Sequence, residues 1–256
     1  MLKTMFFSPL EQFQVLPIIP ITFGFIDLSL TNEVVILFLV FFLLGTLLFS
    51  LLFKDSTLFL IPNRWQAMLE MIYKAILSLV VDNIRNDTAE RFFPLVFSVF
   101  FFILSLNVIG LVPYSFTITS HLIVTLAIAL SIFIGINIIC VRKHGMKFFA
   151  LFLPPGTGVA FAFLLVPIEF ISYFFKPVSL SIRLFANMMA GHTLLKVIAG
   201  FGFVLMGKAG IFFFMHYIPL FILIPLFGLE LAVALIQAFV FSILICIYLN
   251  DAINLH

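Results

Sequence analysis

Charge is what this chain has least of. Only 9% of its 256 residues are Asp, Glu, Lys or Arg, against 64% hydrophobic residues, and the mean hydropathy is +1.32. That balance excludes a soluble domain and describes an integral membrane protein. Between Arg91 and Asp251 the only carboxylates are Glu169 and Glu230, and from Phe148 onward the only arginine is Arg183. Cysteine is limited to Cys140 and Cys246. Both lie in apolar stretches, which excludes a disulfide framework and leaves two thiols behaving as small hydrophobes. No metal-ligand spacing occurs, so neither a metal nor another cofactor is expected. A net charge of +2 without a Lys/Arg run argues against nucleic acid. No GxxxxGK[ST] loop is present, so no nucleotide site of that kind is expected. Met1 to Leu30 contains no arginine and no compact apolar core, so it reads as neither transit nor signal peptide. With 37 phenylalanines the composition also resembles that of an AT-rich, organellar genome.

What remains is a set of long apolar runs. After an N-terminal segment (1–33), residues 34–53 give 20 uncharged positions, enough for one span. Ser29, Thr31 and Asn32 are candidate caps for its start, and Lys54-Asp55 ends it. From 61 to 91, Arg64, Glu70, Lys74, Asp82 and Arg85 alternate with Trp65, Met68, Leu69, Ile72, Ile76, Leu79 and Val80. The spacing of three and four predicts an amphipathic helix on the membrane surface, or one packed on a partner. Residues 92–141 hold no charge and are interrupted at Pro113–His121, which predicts a two-span hairpin closed by the basic loop 142–147. The positive-inside rule puts the basic loops on the matrix or cytoplasmic side.

Pro154–Gly158 breaks the chain before a helix expected to begin near Val159. That helix is expected to stop at Lys176-Pro177, with another covering Val178 to about Phe203. Residues 219–250 are nearly unbroken apolar sequence. The fold class is therefore all-α and membrane-integral. It comprises about five membrane helices and one amphipathic surface helix, in a single membrane domain, the helices of 159–203 and 219–250 being long and strongly tilted.

Arg183 decides the chemistry. A charge at the centre of a spanning helix costs at least ~2.5–3.5 kcal/mol, so such residues face a bundle interior or a wet cavity and mark ion pathways. Ser179 and Asn187 lie four residues to either side of Arg183 and share its face. His192 follows half a turn out of phase and ~13 Å along the axis. Glu169 and Ser172, three apart, precede it. Glu230 and Gln237, seven apart, share a face of the last helix. Carboxylate and imidazole exchange protons, and Asn, Gln and Ser order water, whereas an arginine stays charged and relays nothing. This pattern suits a proton path with a barrier. Asn107, mid-membrane, suits a helix–helix hydrogen bond better than a place in that path. Lys176, Lys196 and Lys208 read as snorkelling side chains. His121, His144 and His216 read as interface or loop residues. Ala186, Ala190 and Gly191 allow another helix to come close.

The segment Ser179-Leu-Ser-Ile-Arg-Leu-Phe-Ala-Asn-Met-Met-Ala-Gly-His192 resembles the hallmark of subunit a of rotary ATP synthases. So do Gly228–Phe241, Asn107–Pro113 and the terminus Tyr248–His256. The resemblance covers nearly the whole chain and is weakest before Pro62. It implies a stationary partner of a ring of c subunits, with Arg183 as the essential arginine and Asn187 and Gln237 as its neighbours. It implies a matrix-side half-channel at Glu169 and Ser172 and an opposite one at His192 and Glu230. The order of His then Glu resembles the mitochondrial pattern. The implied setting is the mitochondrial inner membrane, with peripheral-stalk and other Fo subunits, the lipid bilayer and protons as partners. Two other classes compete. A proton-coupled secondary transporter would need inverted repeats and substrate-selective polar groups at broken helices, and no repeat is visible. A structural membrane subunit would leave Glu169, Arg183 and Glu230 unexplained.

Overall fold

The computed structural model describes residues 10–23, 26–53, 64–84, 89–112, 115–145, 159–207 and 214–253. The helix stop at Lys54-Asp55, the breaker at Pro154–Gly158, Pro113, Lys208 and residues 254–256 lie outside them.

The N-terminal segment forms small strands that its two described prolines did not advertise. β1 (Pro17–Ile19) pairs antiparallel with β4 (Leu30–Thr31), and β2 (Thr22–Phe23) pairs with β3 (Ile26–Asp27). Asn32 ties this nested hairpin to the first helix. Its backbone N–H donates to Leu16 O, and its Oδ1 accepts from the N–H groups of Leu16 and Glu33 at 3.1 Å. Its Nδ2 donates to Gln14 O.

Among the described residues six α-helices follow: α1 (Asn32–Phe53), α2 (Arg64–Ile84), α3 (Ala89–Gly110), α4 (Leu122–His144), α5 (Val159–Met206) and α6 (Tyr217–Ile253). The last four include stretches long and apolar enough to cross a membrane, and α1 has a shorter described apolar stretch. The protein is thus an all-α membrane protein. Large apolar side chains such as Phe163 and Phe221 stand exposed on α5 and α6, as suits a surface facing lipid or other apolar partners.

The largest correction to the sequence reading is α5. No break occurs at Lys176-Pro177. One helix of 48 residues runs through both Pro167 and Pro177. An interior proline costs ~3 kcal/mol, but opening the helix in hydrocarbon would strand several backbone groups at several kcal/mol each. Continuity therefore wins. At 1.5 Å per residue the helix is ~72 Å long, more than twice a ~30 Å hydrocarbon core, so it tilts steeply or extends beyond the core.

The chain forms two compact units. The first comprises Met1–Leu52, Phe102–Leu122 and Leu184–Gln237, and the second comprises Phe53–Phe101, Ile123–Arg183 and Ala238–His256. In the first, Leu111, Met188 and Ala234 form a buried cluster that joins the end of α3 to α5 and α6. The α3–α4 link is itself buried from Phe116 to Ser120. It folds back on α3, where a methyl added at Gly110 would stand 2.8 Å from Thr117 Cγ2.

In the second unit the apolar face of α2 is turned inward. Ile76, Leu79, Val80 and Ile84 are buried, while Glu70, Lys74 and Asp82 are exposed. Tyr73 packs edge-on against Phe93 of α3 at 4.7 Å. The amphipathic pattern is thus satisfied largely by this chain itself. Thr125 of α4 and Ser181 of α5 share a buried hydrogen bond of 3.0 Å, and Phe133 packs on Tyr173.

Candidate functional site

The helices bring Glu230 and Gln237 of α6 onto polar residues of α5. Within the first unit, His192 Nε2 and Glu230 Oε1 stand 3.6 Å apart. Asn187 Nδ2 donates to Gln237 Oε1 at 3.0 Å. Glu230 and Gln237 are each only 4% exposed. Glu230 reaches this position because residue 191 is glycine. A methyl there would lie 2.6 Å from Glu230 Oε1 and 2.9 Å from its Cδ, so the carboxylate rests directly on the α5 backbone. The small residue noticed in the sequence is therefore a seat for an acid and not only a gap for a helix.

These groups are incompletely satisfied. Among the described residues, both oxygens of Glu230, His192 Nε2 and Gln237 Nε2 are buried without a hydrogen-bond partner. Asn107 is fully buried and donates from Nδ2 to Ala234 O at 3.4 Å, which is the helix–helix bond its position predicted. Its Oδ1 is left unpartnered among the described residues. A buried polar atom without a partner costs ~1–3 kcal/mol, and such atoms in native proteins call for a solvent or functional explanation.

Arg183 closes the α5 portion of the second unit. Its side chain is exposed, and among the described residues it forms no ion pair. Ser179, Ala186, Asn187 and Ala190 are exposed as well. Glu230 has His192 as its ion-pair partner. Earlier on α5, Glu169 is half-buried and Ser172 is exposed. The structure places neither in a side-chain hydrogen bond or ion pair among the described residues.

Three features escaped the sequence reading. Lys176 does not simply snorkel. Its Nζ lies 3.6 Å from Asp251 Oδ2 and over the rings of Tyr173 and Tyr248, at 5.4 and 5.2 Å. Tyr173 also donates its hydroxyl hydrogen to Asn137 Oδ1. At the other end of the chain's polar set, His121 Nε2 lies 3.5 Å from Glu33 Oε1. Lys176 is three residues from Tyr173, one helical turn, and that spacing was the available signal. The partners 251 and 33 are remote in sequence, and no periodicity points to them.

Comparison with known proteins gives the family. The profile described as ATP synthase A chain matches residues 34–250. The chain is 54% identical over 254 residues to ATP synthase subunit a of Pylaiella littoralis, covering 98% of this chain and 100% of that one. It is 50% identical over 251 residues to ATP synthase subunit a of Chondrus crispus, covering 97% of each. It is 47% identical over 251 residues to ATP synthase subunit a of Marchantia polymorpha, covering 97% and 99%. A family match over residues 34–250 and nearly the full length of such relatives, on an all-α membrane architecture, means that this chain belongs to the ATP synthase subunit a family.

Proposed function

We propose that the chain is the stationary proton-translocating subunit of the Fo sector, and that it offers two offset half-channels to a ring of carboxylate-bearing c subunits. Glu169 and Ser172 serve the matrix side. His192 and Glu230 serve the intermembrane-space side of the mitochondrial inner membrane. Arg183, with Asn187 and Gln237 beside it in the path, separates the two. The peripheral stalk and the other Fo subunits hold the chain still against the ring.

The observation that carries this reading is Arg183, an exposed cation without an ion pair among the described residues, on a helix that spans the membrane. Its charge costs at least ~2.5–3.5 kcal/mol in hydrocarbon, so it calls for a counter-charge that the described residues do not supply, which a ring carboxylate would provide. Ala186 and Ala190 leave room for another helix to bring a carboxylate close.

The mechanism follows from charge. A proton arriving through His192 and Glu230 neutralises a ring carboxylate, which then turns into lipid at a much lower desolvation cost. After nearly a full rotation the same group reaches the Glu169 side and releases its proton. Between the two, Arg183 favours the ionised carboxylate and cannot itself pass a proton on. Each charge crossing the membrane is worth ~2.3 kcal/mol per 100 mV, so several per turn drive ATP formation in another subunit.

The test is oxidative cross-linking in the assembled complex. Ala186→Cys or Ala190→Cys is paired with a cysteine one helical turn from the ring carboxylate. A reducible cross-link that halts pumping is expected. A complex that pumps normally and yields no cross-link from either position contradicts the ring contact.

A further inference from the structure

Two His–carboxylate pairs occur among the described residues, and both lie in the first compact unit. One is His192–Glu230, at 3.6 Å and buried. The other is His121–Glu33, at 3.5 Å, with side chains 26% and 25% exposed. The second pair joins the first turn of α1 to the residue that precedes α4. Neither residue belongs to the four motif segments named above, Ser179–His192, Gly228–Phe241, Asn107–Pro113 and Tyr248–His256. We propose that Glu33 and His121 form the outer proton-exchange site of the path that leads to His192 and Glu230. The proposal rests on the proton-path reading above.

A carboxylate and an imidazole are both proton-exchanging groups, and the partial exposure of these two side chains lets water reach them. Phe116 stacks on the His121 ring at 5.2 Å and 22°, which fixes the imidazole plane. Inward from the pair, the link is unusually rich in buried hydroxyls for an apolar chain: Thr117, Thr119 and Ser120 are at most 4% exposed. Thr117 Oγ1 donates to Ser120 Oγ at 3.0 Å, while Thr119 Oγ1 has no hydrogen-bond partner among the described residues.

The link leads back to α3 at Gly110, against which Thr117 packs. Asn107 lies one turn earlier, its Oδ1 without a hydrogen-bond partner among the described residues. Its Nδ2 meets the carbonyl of Ala234, one turn beyond Glu230 on α6. Hydroxyl and amide groups therefore occur on each element between the partly exposed pair and the buried one. Unsatisfied groups at these positions are what a water-assisted relay requires, because each must be free to take a new hydrogen bond. The proton balance is simple. One proton from the aqueous phase binds at His121 or Glu33 as one is passed inward, so the pair returns to its starting charge after each transfer.

The alternative is a clasp that only pins α1 and the hairpin to the α3–α4 link. The experiment distinguishes the two. Passive proton conduction through the assembled complex in vesicles is measured for Glu33→Gln, His121→Ala and, in parallel, Glu230→Gln. Conduction at least about tenfold lower is expected for the first two. Imidazole added on the face holding the N-terminal hairpin should restore conduction in His121→Ala. Wild-type conduction in Glu33→Gln and His121→Ala, with Glu230→Gln blocked, overturns the outer site and leaves the inner path standing. Normal conduction in Glu230→Gln as well overturns the path reading itself. A loss in His121→Ala that imidazole does not rescue makes the pair a clasp. Should His121→Ala fail to assemble, Glu33→Gln decides alone, since its amide keeps the size of the acid and removes its proton exchange.

Discussion

The two compact units treat polar groups in opposite ways. In the second unit the buried ones are paired, Tyr173 with Asn137 and Thr125 with Ser181, and half-buried Lys176 meets Asp251 and two tyrosine rings. Glu169, Ser172 and Arg183, which are more exposed, have no such partner among the described residues. In the first unit, Glu230, His192, Gln237, Asn107 and Thr119 each keep a buried polar atom without a hydrogen-bond partner among the described residues. Paired groups between membrane helices act as glue, typically worth under ~2 kcal/mol each. Open groups cost stability and are retained where something must bind or pass. The difference separates residues that hold α4, α5 and α6 together from those proposed to exchange protons.

Breaking the open set should have the largest effect. Glu230→Gln is expected to lower proton conduction at least about 100-fold, measured as passive conduction through Fo with assembly checked by co-purification. Gly191→Ala comes next, because its methyl meets the Glu230 carboxylate. Overpacking of that kind costs ~1–3 kcal/mol, and ATP-driven pumping should fall about tenfold as the acid is pushed off its seat.

The paired set should answer in stability instead. Tyr173→Phe leaves Asn137 without its donor, and thermal denaturation of the complex should show a loss of ~1–3 kcal/mol with conduction nearly unchanged. Lys176→Met should do least, ~0–1 kcal/mol, because the pair with Asp251 is partly exposed. If Tyr173→Phe blocked conduction as strongly as Glu230→Gln, the contrast between the units would be void.

Much of this was legible in the sequence because the bilayer simplifies the code. Absence of charge over 92–141 and its near-absence over 219–250 located the spans, and the scarcity of ionisable residues drew attention to Glu169, Arg183, His192 and Glu230 before any geometry. Spacing gave the faces of α5 and α6, but which faces meet was settled by packing. The seat of Glu230 on Gly191 and the bond from Asn187 to Gln237 link residues 39 and 50 positions apart. Pro177 misled because local propensity was weighed without the hydrocarbon, where an open backbone costs more than a proline. The N-terminal strands were hidden by Pro17 and Pro20, which argue against regular pairing. Asn32, first considered only as a cap, turned out to bind the hairpin as well as the helix start.

Arg183 bears the central claim, since both half-channels depend on a charge that lets the ring carboxylate pass and no proton leak. The direct test is ATP-driven proton pumping and passive leak in membranes carrying Arg183→Ala, with ring and stator shown intact by co-purification. A barrier at Arg183 requires coupled pumping to vanish in that intact complex while a passive leak appears. Normal pumping without a leak would contradict it and leave Arg183 a structural residue.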